Sequence, residues 1–195
     1  MEMVARTPLV YTHEYLLEEK TRMPGIYGRK KPYDDWTFIL NHYLDSDLQS
    51  AGMPENDYKR VFSQGMDPVD KWKLIEPWWL HVKNTGYGRA VELAIRDLYG
   101  VAELSAKTVG TIQSAYDTSR HPGLYNHVLR ERANIESCQV HNLEDVPYME
   151  SAMPTYLMQN ICIMGMFEGP DFDLFAQPAE IRVTSLSDWH AVIDW

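Results

Sequence analysis

Pro8-Leu9-Val10-Tyr11-Thr12-His13-Glu14-Tyr15-Leu16 is the stretch on which the reading of this chain turns. It is apolar, β-branched and aromatic, and the polar residues Glu18, Glu19 and Lys20 follow it closely. Such a run predicts one buried strand whose carboxyl end opens onto a loop. Side chains alternate along a strand, so His13 and Tyr15 share one face and Glu14 takes the other. The imidazole therefore arrives at a strand tip, where it can reach a site.

Composition bounds the rest. The 195 residues suffice for one sizeable core, or for part of a larger one. A hydrophobic content of 45%, with 6 Trp and 12 Tyr, excludes a disordered chain. A formal charge of -10 and a pI near 5.1 argue against a nucleic-acid or anionic-membrane surface, because phosphate contacts need clustered Lys and Arg. The compact basic run Arg29-Lys30-Lys31 lies in a turn-like segment and reads as a solvated loop. Residues 1–6 include Glu2 and lack an apolar stretch of secretory length, and no run approaches the ~18 apolar residues of a membrane span. A cytoplasmic location with no membrane partner is the expectation. Cys138 and Cys162 have no close Cys or His at zinc-motif spacing, so both are expected to be reduced and buried.

Downstream, Pro24, Gly25, Gly28 and Pro32 make 21–32 irregular. Trp36, Ile39, Leu40, Tyr43 and Leu44 then fall on one helical stripe, with Asp34 or Asp35 as the cap and His42 off the stripe. Asp67-Pro68 is a helix start, and the Trp-rich segment after it holds Pro77, which predicts a kink or a break. Trp72, Trp78 and Trp79 read as helix-packing core rather than a ligand box. Asn84 to Gly88 predicts a sharp connector into a helix over 89–99 that Gly100 stops, with further helices opening at Ser105 and at His121-Pro122. From Asp34 to Ala133 the chain is thus a helical block.

The period changes at Asn134. Ile135 to Val140 alternates and ends in His141-Asn142, a second strand with a polar tip. The continuous apolar run Asn160 to Met166 fits a third, buried strand, followed by Glu168. A short helical piece over 172–179 and a last helix capped by Ser185 or Ser187, with Leu186, Trp189 and Ile193 inward, complete the reading. If the three strands are parallel neighbours, His13, His141-Asn142 and Glu168 come to one rim. The adjacent carboxylates Glu18 and Glu19, and Asp34 and Asp35, diverge and read as solvated. No Gly-rich phosphate loop, nucleophile elbow or His-Glu-x-x-His run is present.

Thr12-His13-Glu14-Tyr15-Leu16, the helical block with Asn84-Thr85-Gly86-Tyr87-Gly88-Arg89 and Ala94-Ile95-Arg96-Asp97-Leu98-Tyr99-Gly100-Val101, and the strand from Ile135 to His141 together resemble the N-terminal half of an amidohydrolase-superfamily protein. The nearest branch is similar to uronate isomerases, and the resemblance extends over essentially the whole chain. It implies an α/β fold, the N-terminal part of a (β/α)8 TIM-type barrel with a large helical insertion between the first and second strands. On that reading 1–20 hold the first strand and its loop, 21–134 the insertion, and 135–195 the second and third strand regions of one incomplete domain. A barrel of this type needs ~250 residues, so the chain is expected to be a fragment that is inactive alone.

The resemblance also implies a chemistry. Members bind one or two divalent metals, usually zinc, through a His-x-His on the first strand, for hydrolysis or for proton transfer in the isomerases. The motif stands here as His13-Glu14-Tyr15, so only His13 carries over as a metal ligand. One imidazole predicts weak or absent metal binding by this chain. Tyr15 as a phenolate ligand is disfavoured by the high ordinary pKa of tyrosine, His141 is a candidate rim residue, and no catalytic residue is assigned. The implied function is metal-dependent hydrolysis of a small polar substrate. Aldose–ketose isomerisation of a uronate-like sugar acid is the alternative within the family. A non-catalytic helical scaffold, its Trp-rich block facing a partner, is the alternative outside it. Open strand edges make homo-oligomerisation an expectation as well.

Overall fold

The computed structural model describes residues 6–22, 35–143, 148–161 and 172–194. The predicted cap Asp34, the basic run 29–31, Cys162, Glu168 and most of the apolar run 160–166 lie outside these. The chain divides into two units, one formed by Glu19–Val128 and the other by Met1–Glu18 with Leu129–Trp195.

The unit Glu19–Val128 is helical: α1 (Glu19–Arg22), a 3-10 turn (Trp36–Leu40), α2 (Leu44–Ser50), α3 (Glu55–Val61), α4 (Lys71–Val82), α5 (Gly86–Tyr99) and α6 (Val109–Ser119). Its core gathers Trp36, Leu40, Leu48, Val61, Ile75, Ile95 and Ile112, all with no exposed surface. Trp72 and Trp79 meet at 6.2 Å within that core, as the sequence predicts for a packing cluster. Arg22 is buried here too. Its guanidinium donates to the Tyr116 hydroxyl at 2.7 Å and lies 5.1 Å from the Phe38 ring.

Several local expectations give way to geometry. The stripe Trp36 to Leu44 is not one helix: Trp36–Leu40 winds as a 3-10 turn, His42 sits at φ 80°, and α2 starts afresh at Leu44. That break turns Tyr43 out to solvent, where it stacks on Tyr87 at 4.7 Å. Asp67 does cap its turn, accepting from Val69 N at 2.8 Å, but regular α-helix begins only at Lys71. Pro77 leaves α4 undivided; it removes one backbone donor, while burial of Trp72, Ile75, Trp79 and Val82 on either side holds the helix. Helix α5 begins inside the expected connector, because Thr85 Oγ1 accepts from Gly88 N at 3.1 Å and caps it. Helix α6 starts at Val109, after a turn in which Ser105 N and the Thr108 hydroxyl are hydrogen-bonded at 3.0 Å, later than the Ser105 start that sequence predicts.

In the other unit, β1 (Leu9–Leu16), β2 (Ile135–Asn142) and β3 (Leu157–Gln159) form a three-stranded sheet in the order β1-β2-β3, parallel throughout. The protein is therefore mixed α/β. Strand β3 lies just ahead of the apolar run expected to form it. Cys138, Val140 and Leu157 take the buried side of the sheet. Among the described residues β1 pairs only with β2, and Leu9, Val10 and Tyr11 on it are exposed. Arg130, in the π-helical segment Asn126–Arg132, sits 4.0 Å from the Tyr156 ring just before β3.

Helices α7 (Phe172–Ala179) and α8 (Leu186–Asp194) pack through Phe175, Ala176 and Val192, with Trp189 edge-on to Phe175 at 6.0 Å. Leu186 and Ile193 are exposed, at 70% and 53%, against the inward positions expected for them. Among the described residues, α7 meets the side of α8 that carries Trp189 and Val192. No helix among the described residues is long and apolar enough to cross a membrane.

Candidate site at the strand tips

The carboxyl ends of β1 and β2 bring three rings together. Tyr15 stands directly opposite His141 in the parallel register, and their rings stack 5.2 Å apart with 26° between planes. The His13 ring is 5.0 Å from Tyr15 and 5.0 Å from His141, edge-on to both. Between Tyr11 and Glu14, β1 holds one residue more than β2, since Tyr11 pairs with Cys138 and Glu14 already pairs with Val140. The bulge thus falls at Thr12-His13. Bulges re-aim side chains and are common beside sites, and this one lies at the residue that closes the ring cluster.

The third strand adds an amide. Asn160 follows β3, its backbone N donates to Val140 O at 2.8 Å, and its Nδ2 lies 3.3 Å from His141 Nε2. His13 and Tyr15 are exposed, while His141 and Asn160 are half-buried. The cluster is therefore open to a solute while its inner members are held.

Glu14 faces the opposite way, level with Val140. Burial pushes its carboxyl above the ordinary 4.5, opposed by the Tyr15 N–H that it accepts at 2.9 Å and by His13. Burial also raises the Cys138 thiol, and the charge of Glu14 adds to that. Cys138 is a free thiol packed on the buried side of the sheet.

The carboxylates read from sequence as solvated are built in instead. Glu18 is buried and accepts from Ala152 N at 3.2 Å. Glu19 accepts from Gly123 N at 3.0 Å and Tyr125 N at 2.7 Å, so it ties down a loop of its own unit. Asp35 is buried against Lys71. Adjacency in sequence says that two side chains diverge; it does not say that either finds water. None of the three belongs to the ring cluster.

A pocket of about 450 Å³ in the helical unit is lined by Tyr99, Ser114, Thr118 and His121 among others. Two of its hydroxyls bond helix carbonyls, Ser114 Oγ to Gly110 O at 3.0 Å and Thr118 Oγ1 to Ser114 O at 2.8 Å. Burial lifts the Tyr99 phenol to about 12.

Two imidazoles on one tetrahedral zinc, with Zn–N of about 2.0–2.1 Å, put their ring centroids about 5 Å apart. His13 and His141 have that separation. Among the described residues no group of three His, Cys, Asp or Glu is placed to hold a metal, and the cluster consists of two imidazoles and a phenol. His141, read from sequence as a rim residue, faces His13 directly. Asn160 was legible only as the first residue of an apolar strand, and nothing in its neighbours in sequence marks it. No family model and no curated protein matches this chain.

Proposed function

We propose that the strand tips of this chain form the metal-binding part of a metal-dependent hydrolase of the amidohydrolase kind, acting on a small polar substrate. One observation carries the reading. His13 and His141, from adjacent parallel strands, hold their rings 5.0 Å apart. The His-x-His comparison leaves one imidazole; β2 supplies a second beside it. Both donate as neutral rings, and a divalent metal bound there supplies Lewis acidity toward water and a substrate carbonyl. Tyr15, in ring contact with both, offers a hydroxyl that donates to a substrate oxygen or accepts from water. Placement at the carboxyl ends of parallel strands fits the general position of sites in α/β proteins.

The test is metal binding and turnover by the full chain. With zinc added, the wild type is expected to bind the metal weakly, as two imidazoles allow, and His13→Ala to bind it more weakly still. Hydrolysis across a panel of small polar amides and lactones is expected to require zinc. Zinc bound with no hydrolysis anywhere on the panel would overturn the hydrolase reading. Zinc bound equally by His13→Ala would overturn the site.

A further inference from the structure

Side chains from the end of α5, from α6 and from 121–127 line the pocket of about 450 Å³, a volume within the range of small-molecule sites. The Tyr99 ring, Ala115 and Leu124 give it apolar surface. Its polar groups have their protons committed. A carbonyl has no proton to offer, so Ser114 Oγ donates to Gly110 O and Thr118 Oγ1 to Ser114 O, and each hydroxyl keeps only lone pairs for a visitor. His121 Nδ1, 2.9 Å from Pro122 O, donates by the same rule, which leaves Nε2 of the neutral ring as an acceptor. Among the described residues no Asp, Glu, Lys or Arg lines the pocket, and burial keeps Tyr99 a neutral phenol.

We propose that this pocket binds an uncharged, hydroxyl-bearing amphipathic small molecule, its apolar body against Tyr99, Ala115 and Leu124 and its O–H donating to Ser114 Oγ, Thr118 Oγ1 or His121 Nε2. A charged ligand would find no opposite charge there to offset its desolvation. A ligand that only accepts would displace water and leave those lone pairs without a proton. A hydroxyl supplies that proton, and the apolar body covers the rest of the wall. Every lining residue belongs to the unit Glu19–Val128, so the site stands apart from the strand tips and from the function proposed for them.

Four probes of similar shape test it: 4-ethylphenol, 4-ethylanisole, 4-ethylbenzoate and 4-ethylbenzylammonium. Each is titrated into the full chain at pH 8, where imidazole is ordinarily neutral, and followed by 15N amide shifts. 4-Ethylphenol is expected to shift the amides of 98–99, 111–119 and 121–127, and to bind roughly 2–10-fold more tightly than the ether and than either ion. Ser114→Ala, Thr118→Val and His121→Phe together remove all three acceptors at exposed positions, and should bring the phenol to the affinity of the ether. Ala115→Trp should fill the pocket and abolish the shifts; if that variant does not fold, the triple variant still decides. Phenol shifts scattered over the surface, an ether or ion bound as tightly as the phenol, or a preference untouched by the triple variant would overturn the proposal.

Discussion

Lys71 Nζ lies 2.6 Å from Asp35 Oδ2, with the lysine side chain wholly out of solvent. The ammonium also donates to Ser63 O at 2.9 Å, and the other Asp35 oxygen accepts from Thr37 N and Thr37 Oγ1 at 2.9 and 2.6 Å. One buried pair thus joins the cap of the 3-10 turn to the first residue of α4. Removing one partner of such a pair leaves a buried charge uncompensated. Lys71→Met should destabilise the chain by about 3–5 kcal/mol in urea unfolding. A loss below about 1 kcal/mol, typical of exposed pairs, would show that the pair is solvated.

Gly88 marks where α5 crosses the end of α4. A Cβ there would overlap Val82 O and sit 2.7 Å from Lys83 Cα, and both are backbone atoms that cannot step aside. Gly110, in α6, has only Val69 Cγ2 at 4.0 Å. Gly88→Ala should lower the thermal midpoint markedly. Gly110→Ala should raise stability by up to about 1 kcal/mol through helix propensity. Equal effects of the two would contradict the close crossing.

The strands were legible because β-branched and aromatic composition acts locally: Leu9 to Leu16 and Ile135 to Asn142 carry the strand pattern in their own residues, although β1, expected to be buried, is exposed along most of its length because among the described residues only β2 pairs with it. Their parallel adjacency was only a condition in the sequence, since no residue of β1 names its partner. The site follows the same division. His13 could be singled out by its place at a strand end, but its pairing with His141 depends on register and on a bulge that shows only once both strands are laid side by side. The stripe at Trp36 to Leu44 misled because helical spacing does not reveal the positive φ of His42. Glu19 and Asp35 misled because their partners, Tyr125 N and Lys71, lie far along the chain.

Asp188 closes the start of α8. Its Oδ2 accepts from Thr184 Oγ1 at 2.8 Å and from Thr184 N and Ser185 N at 2.9 Å each, and these bonds hold its carboxyl below the ordinary 3.8. A lowered folded-state pKa gives stability that is present above the unfolded value and lost as pH falls through the folded one. The advantage of wild type over Asp188→Ala in amide-exchange protection of α8 should be full at pH 7 and shrink as pH drops below 3.8. A pH-independent difference would mean that the charge of Asp188 is irrelevant to the cap.

His13 and His141 either act on one ion or they do not, and calorimetric zinc titration of four proteins decides it. The wild type, His13→Ala, His141→Ala and the double variant form a cycle. A shared site predicts that each single change weakens zinc by more than the roughly 10–100-fold lost with an outer partner, and that the double variant is hardly worse than either single one. Independent, additive losses, or a His141→Ala chain that binds zinc as the wild type does, would contradict it.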